Sequence, residues 1–361
     1  LTSQIVKFQH SASFLFILVP GVCQFFFAVT PFQQTPARPL IRGCEMDRLK
    51  YQIRVVRFLF LYALFRMKIF TFSDLAYSDK ENEALDILTR HDGDKNAIPK
   101  VIWMYWDSPS PPDHIMAFYK KMKVINQAHE IILLDRNSVR KYLPALHFDF
   151  QGIGLAHKSD VIRLALLKRY GGIWVDCSTL VYQDFSWVHE RGGYDLVGYY
   201  SEANTQDARF PVIETWFMCA PPENAFVSRW LALIMPLTKI SVDDYYRQIK
   251  DRPDFERIKQ GIPRGSYLTT NYLCQIAMRE AEGVNLYLKK CETSAFYYQN
   301  VFKWNCLKMS LFLLCTRQPA THPTLIKLTN SDRQFLPLAR KLRILDAESI
   351  LGKLMLEQQH P

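Results

Sequence analysis

The 361-residue chain contains no C-x-x-C pair. Its eight cysteines stand apart, at 23, 44, 177, 219, 274, 291, 306 and 315. That scatter argues against a zinc ribbon or a redox pair, and the thiols are expected to be reduced, as in the cytosol. No G-x-G-x-x-G follows the first apolar run; "WDSPSPPD" (106–113) stands there instead, which disfavours a dinucleotide-dependent oxidoreductase. No methionine precedes Met46, and "FLFILVPGVCQFFFAV" (14–29) is broken by Pro20, Gly21 and Gln24. It falls short of the ~20 apolar residues that a spanning helix needs. Internal repeats and low-complexity tracts are lacking too. Acidic residues are scarce at the start, where residues 1–75 hold nine Lys/Arg against three Asp/Glu. The remainder is nearly balanced, although the formal net charge is +10. A basic arm on a balanced body fits an anionic membrane surface better than a nucleic-acid groove, and nucleic acid is not an expected partner.

What is present is a large core. Apolar residues make up 48% of the chain and aromatic residues 14%, enough for one sizeable α/β domain with appendages. Residues 1–45 are expected to be a leader or untranslated frame upstream of a start at Met46. Residues 46–75 set Arg48, Lys50, Arg54, Arg57, Arg66 and Lys68 around an oily centre of a few helical turns. This is a basic amphipathic segment of the kind that lies on a bilayer surface, placing the protein peripherally on the cytoplasmic face of the cell membrane. Residues 76–98 are polar and charged and read as a linker, 99–340 as the main domain, and 341–361 as a C-terminal tail helix.

Within the main domain, "KVIWMYW" (100–106) and "EIILLD" (130–135) are apolar runs of strand type, with a helix at about 113–127 between them and a short one at 137–143 after them. Further strands are expected at 173–175, 194–200 and 215–220, and helices at about 159–170 and 267–282. Short oily strands alternating with helices predict a mostly parallel sheet with helices on both faces. In such sheets ligands sit beyond the carboxyl ends of the strands, where Trp106, Asp135 and Asp176 fall.

The stretch "SDVIRLALLKRYGGIWVDCSTLV" (159–181) concentrates the chemistry. Each of its polar residues has a structural explanation: Ser159 as helix cap, Asp160 in the first turn, and Arg163 paired with Asp160 one turn on. Together, however, Asp160 and Arg163 share a helical face otherwise meant for burial, and charge is not buried cheaply without partners. The pair Gly171–Gly172 turns the chain tightly and brings the helix start near Asp176. An acid, a base and a second acid at one crevice suit a ligand that is both hydroxyl-rich and anionic.

S-D-x-x-R followed by Y-G-G-x-W-x-D resembles the nucleotide-sugar site of the capsular polysaccharide synthesis family, relatives of the DXD sugar-transferases with a GT-A fold. "IPKVIWMYWDS", "PVIETWFMCAPPENAF" and "HPTLIKLTNSDR" extend the likeness from about Pro99 to Arg333. The resemblance implies a glycosyltransferase that moves a hexose, with retention, from a nucleotide-sugar donor to a growing cell-surface polysaccharide or lipid-linked glycan. It further implies that Asp160 and Arg163 contact the donor's sugar and phosphates and that Trp106 stacks on the base. Gly172, in the motif, would border the donor, and Asp176 would hold the ribose or a divalent ion, Mn²⁺ or Mg²⁺. A strict D-x-D would have a carboxylate where Ser178 stands, so metal binding is expected to be weak and carried partly by the donor's diphosphate. Asp135 is a candidate base-side contact, and Glu214 with Thr215 candidates to face the reacting carbon. Asn271 and Tyr272 are candidates for the acceptor side, and His322 and Lys327 for the diphosphate. Two other classes stay open: a nucleotide-dependent α/β enzyme of another kind, and a non-catalytic basic membrane-associated protein.

Overall fold

A computed structural model describes residues 39–72, 75, 77–78, 83–90, 97–146 and 153–357, with side chains from residue 49 onward. The expected leader thus lies almost wholly outside the described residues. Two compact units are distinguished, residues 1–54 and 55–361. Helix α1 (Pro39–Arg66) runs through both. No helix among the described residues is long and apolar enough to cross a membrane.

The second unit is built on a seven-stranded sheet. Its strands are β1 (Ala84–Ile87), β2 (Val101–Tyr105), β3 (Glu130–Leu134), β4 (Gly172–Val175), β6 (Leu196–Ser201), β7 (Val212–Ala220) and β8 (Leu286–Lys290). The order is β1-β8-β6-β7-β4-β2-β3, while β5 (Thr179–Val181) and β9 (Leu325–Lys327) form a separate antiparallel pair. Strands β3, β2 and β4 run parallel, as do β6 and β8, but β7 is antiparallel to both β4 and β6, and β1 to β8. The sheet is therefore mixed: β3, β2, β4, β6 and β8 share the expected parallel direction, and β7 and β1 run against them. The reason is the reversal at β7, a nine-residue strand whose pattern fits either direction.

Alternate side chains on each strand feed two cores, as the period of a strand requires. Ile102, Met104, Ile173, Val175, Phe217 and Cys219 face one core. It is closed by helices α2 (Asp113–Ile125), α6 (Cys306–Cys315) and α7 (Ile350–Leu356). Trp103, Tyr105, Trp174, Met218 and Ala220 face the other, under α3 (Leu155–Tyr170), α4 (Ala225–Ile234) and α5 (Thr269–Glu280). Phe58 of α1 is fully buried and stacks on Phe335, with centroids 4.4 Å apart. The stretch 76–98, expected as a linker, supplies edge strand β1, and Thr89 and Arg90 bind the Asn285 side chain through their backbone N–H groups. Of the tail 341–361, Ile350–Leu356 is helical, with Ile350, Leu351, Leu354 and Met355 buried.

Helix α3 starts four residues before its expected position, capped at Gly154. Ser159 is consequently not the cap, and Asp160 sits in the second turn, where the helix dipole no longer favours it. The helix ends at Gly171 (φ +62°), where a Cβ would lie 2.6 Å from the Pro222 nitrogen. Gly172 (φ +96°) lets Val101 approach, its Cγ1 only 2.5 Å from where a Cβ would stand.

Candidate active site

A cavity of about 980 Å³ opens at the carboxyl ends of β2 and β4 and the facing start of β7, a size that holds a ligand larger than a monosaccharide. Trp106 and Asp107 reach it from the end of β2, Asp176 from the end of β4, and Glu214 and Thr215 from β7. Helix α3 supplies Asp160 and Arg163, α5 supplies Asn271, and the chain around β9 supplies Lys327 and Arg333.

Asp160, Arg163 and Asp176 do meet, and the structure gives each a defined partner set. Arg163, 5% exposed, pairs with Asp160 Oδ1 at 3.0 Å and with Asp176 Oδ1 at 3.2 Å. Its Nη1 also donates to the Thr215 carbonyl at 2.7 Å. Asp160 Oδ2 accepts from the Thr270 hydroxyl at 2.5 Å. Arg163 is thereby a brace that locks the two carboxylates and β7 together, and its Nη groups are committed to protein acceptors. Asp176 Oδ1 additionally accepts from the Trp174 indole at 3.1 Å, and Oδ2 from Lys327 Nζ at 2.9 Å. Burial alone would raise the Asp176 carboxyl, but Lys327 and Arg163 together outweigh it and hold the group below the usual carboxylate range.

Lys327 is the residue for which the sequence offered least. An isolated lysine in a weakly patterned tail is ordinarily solvated, yet this one is 8% exposed. Pairing of β9 with β5 places it opposite Thr179, just past the Asp176–Ser178 turn, and the Gln299 side chain ties down its carbonyl at 2.7 Å. Arg333 was not foreseen. It follows a capping box in which Thr329 and Asp332 exchange side-chain and backbone bonds, a T-x-x-D signal that sequence reading can find. Its guanidinium lies over the Trp106 ring at 5.6 Å, and its buried Nε has no hydrogen-bond partner among the described residues. Asp107 was also missed; it accepts from Lys158 at 2.7 Å and Tyr105 at 2.6 Å on the cavity wall.

Glu214 is half-buried among Glu292, Lys327 and Asp176, and burial, reinforced by Glu292, pushes its carboxyl up to about 7. Asn271 lines the cavity and donates to the Ile213 carbonyl.

Other expected residues lie elsewhere. Asp135 is outside the cavity, its Oδ1 accepting from the Asn137 and Ser138 backbone N–H groups at 2.7 and 2.8 Å. It is a turn-forming residue, not a base-side contact. Gly172 packs against Val101 and Trp103, away from the cavity, because its role is steric. Tyr272 is fully buried and donates to the Pro263 carbonyl. His322 rests against the Tyr182 ring.

The resident divalent cation implied by the family likeness meets an unsuitable donor set. Asp176 is the one carboxylate of the turn, and Ser178 Oγ donates to the Leu328 carbonyl and accepts from Lys327 Nζ at 3.0 Å. The Cys177 thiol donates to the Tyr105 carbonyl, and burial pushes it up to about 12, so it stays protonated. Among the described residues no group of three or more His, Cys, Asp or Glu is arranged to hold a metal. A dication on Asp176 and Ser178 would face an ammonium about 3 Å from each oxygen.

Residues 75–247 match the family model described as capsular polysaccharide synthesis protein. The O-glycosyltransferase braB of Annulohypoxylon truncatum is 30% identical over 87 residues, 22% of this chain and 20% of that protein; the match thus spans only a fifth of that relative's length. Among solved structures, the PaToxG glycosyltransferase is 13% identical and superposes over 69% of this chain and 89% of its own, with a TM-score of 0.32. The ligand-free glycosyltransferase domain of the YGT toxin is 11% identical over 73% of this chain and 99% of its own, with a TM-score of 0.35. Lys327 and Arg333 lie beyond the matched residues 75–247. The matched residues, which hold Trp106, Asp160, Arg163, Asp176 and Glu214, carry the similarity of this chain to the capsular polysaccharide synthesis family.

Proposed function

We propose that this chain transfers a hexose from a nucleotide-sugar donor to a growing cell-surface polysaccharide or lipid-linked glycan, with retention at the anomeric carbon. The observation that carries the reading is the convergence of Asp176, Lys327, Arg333 and Trp106 with Glu214 in a single cavity. An aromatic ring suits a nucleobase, cations suit a diphosphate, and carboxylates suit sugar hydroxyls.

In this reading the bond between the anomeric carbon and the diphosphate oxygen breaks, and both electrons leave on the diphosphate. Fixed positive charge from Lys327 and Arg333 stabilises that leaving group. The Glu214 carboxylate faces the positive charge that develops at the anomeric carbon. The acceptor's hydroxyl oxygen forms the new bond, and its proton goes to the departing diphosphate. Arg163 holds Asp160 and Asp176 in register and acts as a positioning residue.

The test follows nucleotide release from UDP-, GDP- and CMP-sugars, with a membrane extract as acceptor source. Wild-type protein is expected to release one nucleotide class, and Asp176→Asn to release it roughly 10²- to 10³-fold more slowly while keeping its fold. Equal release by both would refute the site. The anomeric configuration of the product, read by proton NMR, tests retention.

We further propose that the protein sits on the cytoplasmic face of the cell membrane. Val56 and Met67, 56% and 61% exposed, stand beside Arg57, Arg66 and Lys68, an apolar and basic combination suited to anionic lipid. Flotation with vesicles of phosphatidylserine and phosphatidylcholine is the check.

A further inference from the structure

The donor set that fails to suit a metal is well formed for another purpose. Arg163 and Lys327 both contact Asp176, while Arg163 also pairs with Asp160. Lys327 therefore has only a share of one carboxylate. An ammonium has three donors, and among the described residues two acceptors engage Nζ, Asp176 Oδ2 and Ser178 Oγ. One N–H remains for a ligand on the cavity side. Arg333 stands on the same wall, with its guanidinium over the Trp106 ring.

We propose that Lys327 takes the place of the divalent cation: its ammonium, seated between Asp176 and Ser178 and seconded by Arg333, binds the donor's diphosphate directly, so that donor binding needs no metal. Serine at 178 follows from this arrangement. A carboxylate there would give Lys327 a second full counter-charge and draw it away from the phosphate, whereas a hydroxyl only orients it. The inference rests on the nucleotide-sugar reading above and deepens it, by naming the group that recognises the diphosphate.

Calorimetric titration of the full chain with UDP, GDP and CDP, in excess EDTA and in millimolar Mn²⁺, separates the two levels. The expected result is that at least one nucleotide binds, with the same affinity in EDTA as in Mn²⁺, and that Mn²⁺ alone gives no binding heat. Lys327→Met, which keeps the length of the side chain, is expected to weaken that nucleotide roughly tenfold to a hundredfold in EDTA, the scale of one charged hydrogen bond. Mn²⁺ should then recover part of the loss, because Asp176 and Ser178 are freed for it. Lys327→Arg should retain more affinity than Lys327→Met. Binding that disappears in EDTA for the wild-type protein overturns the inference and leaves the donor reading intact. So does a well-folded Lys327→Met protein that binds as tightly as wild type. Absence of binding by all three nucleotides, with and without Mn²⁺, overturns the donor reading and this inference with it. Should Lys327→Met fail to fold, the EDTA comparison on the wild-type chain still decides.

Discussion

At the scale of single residues, the two carboxylates of the cavity are driven in opposite directions, and the signs give separable predictions. Asp176 is held low by Lys327 and Arg163. Its contribution to stability is present above the ordinary carboxylate range and is lost as pH falls through its folded-state value. Glu214 is raised to about 7. It favours the folded state fully only below the carboxyl's unfolded value, and that benefit is lost as pH rises toward 7. Equilibrium unfolding of Glu214→Gln between pH 4 and 8 should show a flatter dependence across that window than wild type. Activity should move the other way, rising through about pH 7 as the carboxylate forms; a pH–rate profile of the wild-type protein checks this. Asp176→Asn should reduce transfer by roughly 10²- to 10³-fold, with circular dichroism still native. These carboxylates were readable from the sequence because each stands where an oily strand starts or ends. Lys327 was legible only as an isolated candidate for the diphosphate and Arg333 not at all, because their placement depends on β9 pairing with β5 across nearly 150 residues, a register that no local pattern specifies.

At the scale of elements, the helix–glycine–strand unit from α3 to β4 was the most legible part of the chain. Gly171 and Gly172 marked the turn, and the oily runs marked both flanks. The misplacements have local causes. Leu155 to Lys158 are ordinary helix formers, so α3 runs past Ser159 to Gly154. Strand β1 is four residues long and its pairing partner β8 lies 200 residues away, so polar neighbours made it read as linker. Gly172 shows why a motif glycine need not touch ligand. Gly172→Ala should destabilise the fold by about 2 kcal/mol or more, from the left-handed backbone and the contact with Val101, while leaving nucleotide affinity in the folded fraction unchanged. Urea titration and calorimetry on the same sample distinguish this from loss of a donor contact.

At the scale of the whole molecule, the cavity joins segments from distant parts of the chain, from Trp106 near the first central strand to Arg333 near the end. The sheet supplies a fixed crevice, and the residues after 320 add cations to it, so truncation before β9 should abolish nucleotide binding even where the sheet survives. The exposed apolar and basic residues of α1 and of the turn that follows it give a separate prediction. Neutralising Arg57, Arg66 and Lys68 together should weaken binding to anionic vesicles by about 3 kcal/mol, near 1 kcal/mol for each charge, with nucleotide affinity unaltered. Flotation unchanged by the three substitutions would remove that surface from the proposal.

The most direct test of the central claim is a thermal-shift screen of the full chain against UDP-, GDP- and CMP-sugars. Selective binding to the folded state raises the melting temperature, by an amount equivalent to about 2.7 kcal/mol at a ligand concentration 100 times the dissociation constant. One nucleotide class should stabilise the wild-type protein, in EDTA as well as in Mn²⁺, and fail to stabilise Asp176→Asn. A cooperatively melting protein that no sugar nucleotide stabilises under either condition would contradict the assignment of this cavity to a sugar donor.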